Sequence, residues 1–250
     1  MKDYTFDAEK VRKDLVNWIR EWVDSSGNNC NVVLGISGGK DSTVAAALCV
    51  EALGKDRVIG VMLPNGEQKD ISDSIRICEL LGIKNFTINI APALTESFNR
   101  LKELGIEITS QCEQNMPARE RTKMIRAVCQ CFNGRMVNTC NLSEDYVGYF
   151  TVGGDGDGDF SPLGNLTKSE VVEIGRVLCL PKELIEKTPS DGLCGKTDED
   201  NLGFTYEQLD QYIRTGDCDD KDAKVRIIKK NIDNLFKLQE TPKFPYNSKK

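Results

Sequence analysis

Residues 32–48 read VVLGISGGKDSTVAAAL. An apolar run ends in a Gly-rich turn and gives way to an Ala-rich stretch of helical character. That is the pattern of a buried parallel strand running into a helix. Ligands in parallel sheets bind at the carboxyl ends of strands, where the next helix begins, and residues 37–42 fall at that place. Gly38 and Gly39 let backbone N–H groups converge on an anion with no Cβ in the way. Ser42, Thr43 and the helix N-terminus add hydroxyls and a favourable dipole. A phosphate loop of the G-x-x-x-x-G-K-[ST] kind is excluded, because only Ile36, Ser37 and Gly38 separate Gly35 from Gly39, and Lys40 is followed by Asp41. A plain β–α turn also favours Gly and Ser. The full string S-G-G-x-D-S between an apolar strand and an amphipathic helix is far more specific than a glycine pair.

The alternation continues on both sides. Strand patterns occur at 31–37, 57–64, 85–91 and 135–140. Helical periodicity occurs at 7–23, 42–53, 71–81, 92–104, 117–132, 167–180, 205–213 and 219–236. Thr167 with Glu170 three residues on forms a capping box. Strands separated by helices predict an α/β fold with a parallel sheet flanked by helices on both faces. Two long segments, 151–166 and 188–204, are expected to be binding loops or lids.

The 250 residues carry a formal net charge of −6, with 39% hydrophobic and 29% charged residues. This acidic balance argues against a nucleic-acid partner, whose footprint is basic. No apolar run approaches the ~20 residues of a membrane span. The N-terminus has no signal-peptide core, so the expected location is the cytoplasm. Ten cysteines occur without a C-x-x-C spacing, which argues against a structural zinc site. Cys49, Cys78, Cys129 and Cys179 fall on apolar faces and read as core residues. Histidine is absent, which removes Ser-His-Asp triads, Cys-His pairs and HExxH metal sites. The chemistry must run on carboxylates, Lys, Arg, hydroxyls, backbone dipoles and bound ions.

The loop GISGGKDS resembles that of the pyrophosphatase-loop enzymes, which cleave ATP between its α- and β-phosphates. Further stretches narrow the resemblance: LPNGEQKDISD (63–73), NMPARERTKMIRA (115–127), VNTCNLSEDYVGYFTVGGDGDGDFSPLGNLTKSEV (137–171), KTPSDGL (187–193) and TDEDNLGFTYEQLD (197–210). In this order they are similar to the ammonia-dependent NAD synthetases, over residues 5–245. The resemblance implies a Rossmann-like fold and a two-step ligase reaction. ATP adenylates the nicotinate carboxylate of deamido-NAD with release of pyrophosphate, and ammonia then displaces AMP. Such a reaction depends on alignment and charge stabilisation, for which a histidine-free site is adequate.

Carried over residue by residue, the resemblance implies that Gly35, Ile36, Ser37, Gly38, Gly39, Lys40, Asp41 and Ser42 hold ATP. Gln68, Thr139, Lys168 and Ser190 add nucleotide contacts. Asp41, Lys168 and Ser190 are the catalytic candidates. Asp41 and Glu144 are the implied ligands of Mg2+, a hard cation suited to carboxylates. A helix-start acid is the alternative for Glu144. Arg119, Val152, Asp159, Phe236 and Lys237 map to deamido-NAD positions, although Arg119 and its neighbour Arg121 also fit a solvated helix face. Two positions depart from the family pattern. Val152 replaces a lysine, and Phe236 stands where histidine is common. The stretch GGDGDGDF (153–160) fails as an EF-hand, since Phe160 and Leu166 stand where Gly and Glu are required.

The glutamine-using relatives carry an amidase domain before the synthetase, so this chain is expected to be one synthetase domain, 1–250, taking free ammonia. The family also implies a homodimer with the substrate site at the interface. Two alternatives remain at this point. A tRNA-thiolating enzyme would use the same loop with catalytic cysteines among Cys112, Cys129, Cys131 and Cys140. A non-catalytic ATP sensor would share the fold, but has no need of Asp41 and Glu144 together.

Overall fold

A computed structural model describes residues 4–26, 28–68, 71–186 and 197–245. Four strands, β1 (Asn31–Gly35), β2 (Val58–Met62), β3 (Lys84–Thr87) and β4 (Gly134–Met136), form one parallel sheet in the order β3-β2-β1-β4. Alternation of side chains sends Val32 and Leu34 of β1 to one face and Val33 to the other. On the first face lie α1 (Ala8–Ser26), α2 (Lys40–Leu53), α3 (Ile71–Leu81), α7 (Lys168–Val177) and the short α8 (Lys182–Ile185). On the second lie α4 (Ala91–Glu103) and α5 (Ser110–Cys131). Helices α6 (Leu142–Val147), α9 (Asp198–Leu202), α10 (Tyr206–Thr215) and α11 (Lys221–Asn234) supply a third cluster around Leu209 and Ile227, both fully buried.

The chain leaves β1 toward β2 on one side and later places β4 on the other. The crevice between the carboxyl ends of β1 and β4 is therefore the topological switch point of the sheet. The loop after β1 opens there, held by the Ile36 N–H donating to the Val61 carbonyl at 2.9 Å. The loop after β4 opens beside it, and a parallel bridge between Val137 and Phe160 extends the sheet edge by one rung.

Several local expectations shift. Helix α5 starts at Ser110 rather than near Pro117, because Thr109 caps it through the Cys112 N–H, and Pro117 is held inside the helix. The buried stripe of α1 is Val16, Ile19 and Val23, leaving Trp18 partly exposed. In α3, Ile77 and Cys78 are buried while Ile75 is exposed. Cys179 is exposed with φ +56° and is not a core residue, unlike Cys49, Cys78 and Cys129. The fully buried Cys49 thiol is pushed up to about 12 by burial alone, which makes it inert.

Candidate active site

Gly39 caps α2 with no side-chain hydrogen bond to the helix. The first-turn N–H groups of Lys40, Asp41 and Ser42 have no intrahelical carbonyl to meet, as in any α-helix. The loop is braced from within. Ser37 and Ser42 hydroxyls lie 3.1 Å apart, the Ser42 hydroxyl donates to the Gly39 carbonyl at 3.2 Å, and the Thr43 hydroxyl donates to the same carbonyl at 2.7 Å. Gly38 has φ +81°, and a Cβ there would lie 3.2 Å from Asp73 and Ser74 of α3. Glycine is thus required both by the backbone and by the neighbouring helix.

Opposite the loop, Asn141 caps α6 with a complete capping box to Glu144, and its side-chain amide donates to Asp41 Oδ1 at 3.0 Å. This bond joins the first turn of α2 to the loop after β4, and the Asp41 charge acts on the Glu144 carboxyl. Burial, and then the charge of Asp41, raise the Glu144 carboxyl far above the usual carboxylate range. Lys168 begins α7, with its Nζ 3.2 Å from Glu144 Oε1 and 3.4 Å from Asp198 Oδ2. Burial acts against the Lys168 charge, but Glu144, Asp41 and Asp198 outweigh it and raise its proton affinity. Lys40, buried nearby, is lowered by burial and by Lys168. Thr139 is half-buried in the loop leading to Asn141, and Gln68 is half-buried near the end of the loop after β2. Ser190 lies outside the described residues.

Of the positions assigned to the acceptor, Asp159 and Lys237 line a hollow together with Asn138, Asp145 and Phe150, whereas Arg119, Val152 and Phe236 are not among its lining residues. Asp159 accepts from Arg126 Nη1 at 2.5 Å and from the Met136 N–H at 2.7 Å, so both of its oxygens are already engaged. Arg126 also makes two bonds to Asp157. Lys237 Nζ donates to the carbonyls of Gly148 at 2.6 Å and Phe150 at 3.0 Å. Asp145 is pushed up to about 6 by burial and by Asp155. Arg119 is exposed, and its Nε meets the Val152 carbonyl at 3.3 Å. A guanidinium therefore lies beside the backbone of residue 152, where the family pattern has a lysine. Phe236 is exposed. Arg121, two residues on, turns inward and donates from Nε to the Leu63 carbonyl at 3.0 Å, at the carboxyl end of β2.

The sequence profile of the NAD synthase family matches residues 11–244. The chain belongs to that family. It is 40% identical to the NH(3)-dependent NAD(+) synthetase of Thermococcus sibiricus over 84% of this chain and 81% of that one. A structure described as NMN synthetase from Francisella tularensis shares 35% identity and superposes with a TM-score of 0.86, covering 97% of this chain and all of that one. NH3-dependent NAD synthetase from Campylobacter jejuni, 28% identical, gives 0.76 over 96% of this chain.

Within this NAD synthase fold, several residues around the site escaped the sequence reading. Asn141 carried a signal, since N-L-S-E is a capping box with Asn in place of Ser or Thr. Asp198, Tyr206 and Asp210 sit inside TDEDNLGFTYEQLD (197–210), where no local pattern marks them, because their partners Lys168, Ser143 and Ser169 lie on other elements. Arg126 had none, because its partners lie 31 and 33 residues away in an irregular loop.

Proposed function

We propose that the protein forms the nicotinamide amide of NAD from ammonia and the nicotinate carboxylate of deamido-NAD, using ATP. The observation that carries this reading is the convergence of the Gly35–Ser42 loop, Asp41, Glu144 and Lys168 at the switch point of a NAD synthase fold. A carboxylate oxygen of the acceptor attacks the α-phosphorus of ATP. The bond to the β-phosphate breaks, and the electron pair leaves with pyrophosphate. Ammonia then attacks the acyl carbon, loses its extra proton to solvent, and AMP departs.

The residues of this chain supply alignment and charge rather than proton transfer. The first-turn N–H groups of α2 and the two glycines cradle the leaving pyrophosphate. Lys168 and Lys40 offset its charge. Asp41 and Glu144 offer oxygen ligands to magnesium, which neutralises charge on the phosphates when bound. The donor set fits that ion, because two carboxylates close enough to act on one another leave the remaining positions to phosphate oxygens and water. No larger cluster of metal-binding side chains occurs among the described residues. Arg119, Asp159, Phe236 and Lys237 line the acceptor end, with the Val152 backbone.

The chain acts as one synthetase domain, 1–250, as a cytoplasmic homodimer supplied with free ammonia. Exposed apolar residues beside the acceptor hollow, Ile232, Leu235, Phe236 and Leu238, support an interface there. Among the described residues no helix is long and apolar enough to cross a membrane. Sedimentation of a single-chain mass at micromolar concentration would reject the dimer.

A second reading concerns the acceptor. The Francisella tularensis NMN synthetase superposes more closely than the Campylobacter jejuni enzyme, at 0.86 against 0.76. That favours an acceptor lacking the adenylate half, the mononucleotide that bears the same nicotinate carboxylate. Pyrophosphate release from ATP is measured with each acceptor. The primary reading expects the higher kcat/KM for deamido-NAD, the second expects it for the mononucleotide, and release with neither rejects both.

A further inference from the structure

The motif TDEDNLGFTYEQLD sends three side chains to the base of the catalytic lysine. Lys168 Nζ lies 3.4 Å from Asp198 Oδ2 and 3.6 Å above the centroid of the Tyr206 ring. The Tyr206 hydroxyl donates to the same Asp198 oxygen at 3.3 Å, while the Tyr149 hydroxyl donates to the other at 3.5 Å. Asp210 accepts from the Ser143 hydroxyl at 2.5 Å and from the Ser169 N–H at 2.8 Å, and Ser143 in turn receives the Lys168 N–H at 3.0 Å. The ammonium and the first backbone N–H of α7 are thus both fixed from the third cluster of helices.

The ammonium has three N–H donors, and the site offers three directions: Glu144, Asp198 and the ring face. Asp198 and Tyr206 are buried, so their hold is not diluted by water. A lysine on a flexible four-carbon stem does not keep one position unless it is held there. When Glu144 turns its oxygens to another cation, Asp198 and the ring remain as anchors for the ammonium.

We propose that Asp198 and Tyr206 are positioning residues for the reaction, which hold the Lys168 ammonium against the phosphates of ATP. Their role runs through Lys168. The proposal rests on the reading that this site binds ATP, and it extends that reading to a motif without assigned roles.

A double-mutant cycle with Lys168 tests it. Asp198→Asn keeps the shape and removes the charge. Its ATP affinity and its rate of acceptor-dependent pyrophosphate release are each expected to fall at least tenfold, with acceptor affinity within twofold of wild type. In the Lys168→Ala background the same change is expected to alter both quantities less than twofold. Equal losses in both backgrounds, or no loss in either, overturn the proposal. The affinity arm needs no acceptor and stands even if the acceptor chemistry above is wrong. Failure of the wild-type chain to bind ATP overturns both readings. Should Asp198→Asn not fold, Tyr206→Phe and Tyr206→Leu carry the test. Loss of the ring is expected to weaken ATP binding at least fivefold more than loss of the hydroxyl, and equal effects overturn the role of the ring.

Discussion

Asp41 stands at the first turn of α2, tied to Asn141 and close enough to act on Glu144, with Lys40 and Lys168 close by. Its value lies in charge placed where charge develops, which commonly contributes ~10²–10³-fold to rate. Asp41→Asn is expected to leave the fold intact and to slow pyrophosphate release by that order, and near-normal release in a stopped assay would contradict its role. Arg119 belongs to the other end of the site. Its removal by Arg119→Ala is expected to raise the acceptor KM about tenfold, the weight of one charged hydrogen bond of ~1.5 kcal/mol. The ATP KM should hardly move. Equal changes in both constants would place Arg119 in general stability instead. At this scale the sequence was legible where a motif forces geometry, as in Gly38 and Asp41. It was less legible for Asp159, whose carboxylate is spent on Arg126 and the Met136 N–H, because no local pattern announces a partner 33 residues away.

Helix α7 carries Lys168 toward that site, and its Gly175 allows close contact with α8 and α2. A Cβ on Gly175 would approach Ile185 of α8 to 2.9 Å and Val44 of α2 to 3.1 Å. Gly175→Val is therefore expected to destabilise the fold by ~1–3 kcal/mol through overpacking. For a chain of this size that amounts to a fall in Tm of roughly 3–10 °C. Differential scanning calorimetry checks it, and an unchanged Tm would show that the three helices separate freely. The strong periodicities and the capping boxes placed the long helices from sequence. Helices α6, α8 and α9 were missed because four to six residues give too little periodicity to count. The start of α5 was missed because Pro117 reads as a helix beginning, whereas the earlier cap at Thr109 and the packing of Pro117 against its surroundings prevail.

Across the whole molecule, the ion pair of Arg214 and Glu170 adds to the Lys168 contacts in fastening the third helical cluster to the sheet layers. Arg214 of α10 reaches Glu170 of α7 at 2.7 Å, and the Tyr4 hydroxyl donates to the same carboxylate. Burial works against the Glu170 charge, but Arg214, Tyr4 and the Thr167 N–H outweigh it, and the carboxyl lies below its usual range. A depressed carboxyl contributes stability that is present above its unfolded value and lost as pH falls through its folded value. Arg214→Met should then cost ~1–3 kcal/mol at neutral pH. The gap from wild type should narrow as pH drops below the ordinary glutamate range. Urea midpoints across that range measure it, and a gap independent of pH would assign the loss to packing alone. The parallel sheet with helices on both faces was legible at this scale, because alternating strands and helices admit few arrangements, whereas the strand order that makes the switch point was not. The third cluster was not, since nothing in its sequence states which layer it covers. The loop 151–159 illustrates the same limit with a different outcome. Its glycines and aspartates have the composition of a mobile lid, yet Arg126 clamps two of its carboxylates and the Asp159 N–H bonds to the Met136 carbonyl at 2.8 Å. Gly156 and Gly158 are pressed against Phe150 and Asn138, where any Cβ would collide. The hollow proposed for the acceptor thus has one wall already built. An acceptor bound there as proposed would cost little ordering entropy at that wall, and its capture would be governed by diffusion into a standing groove rather than by the tempo of a closing loop.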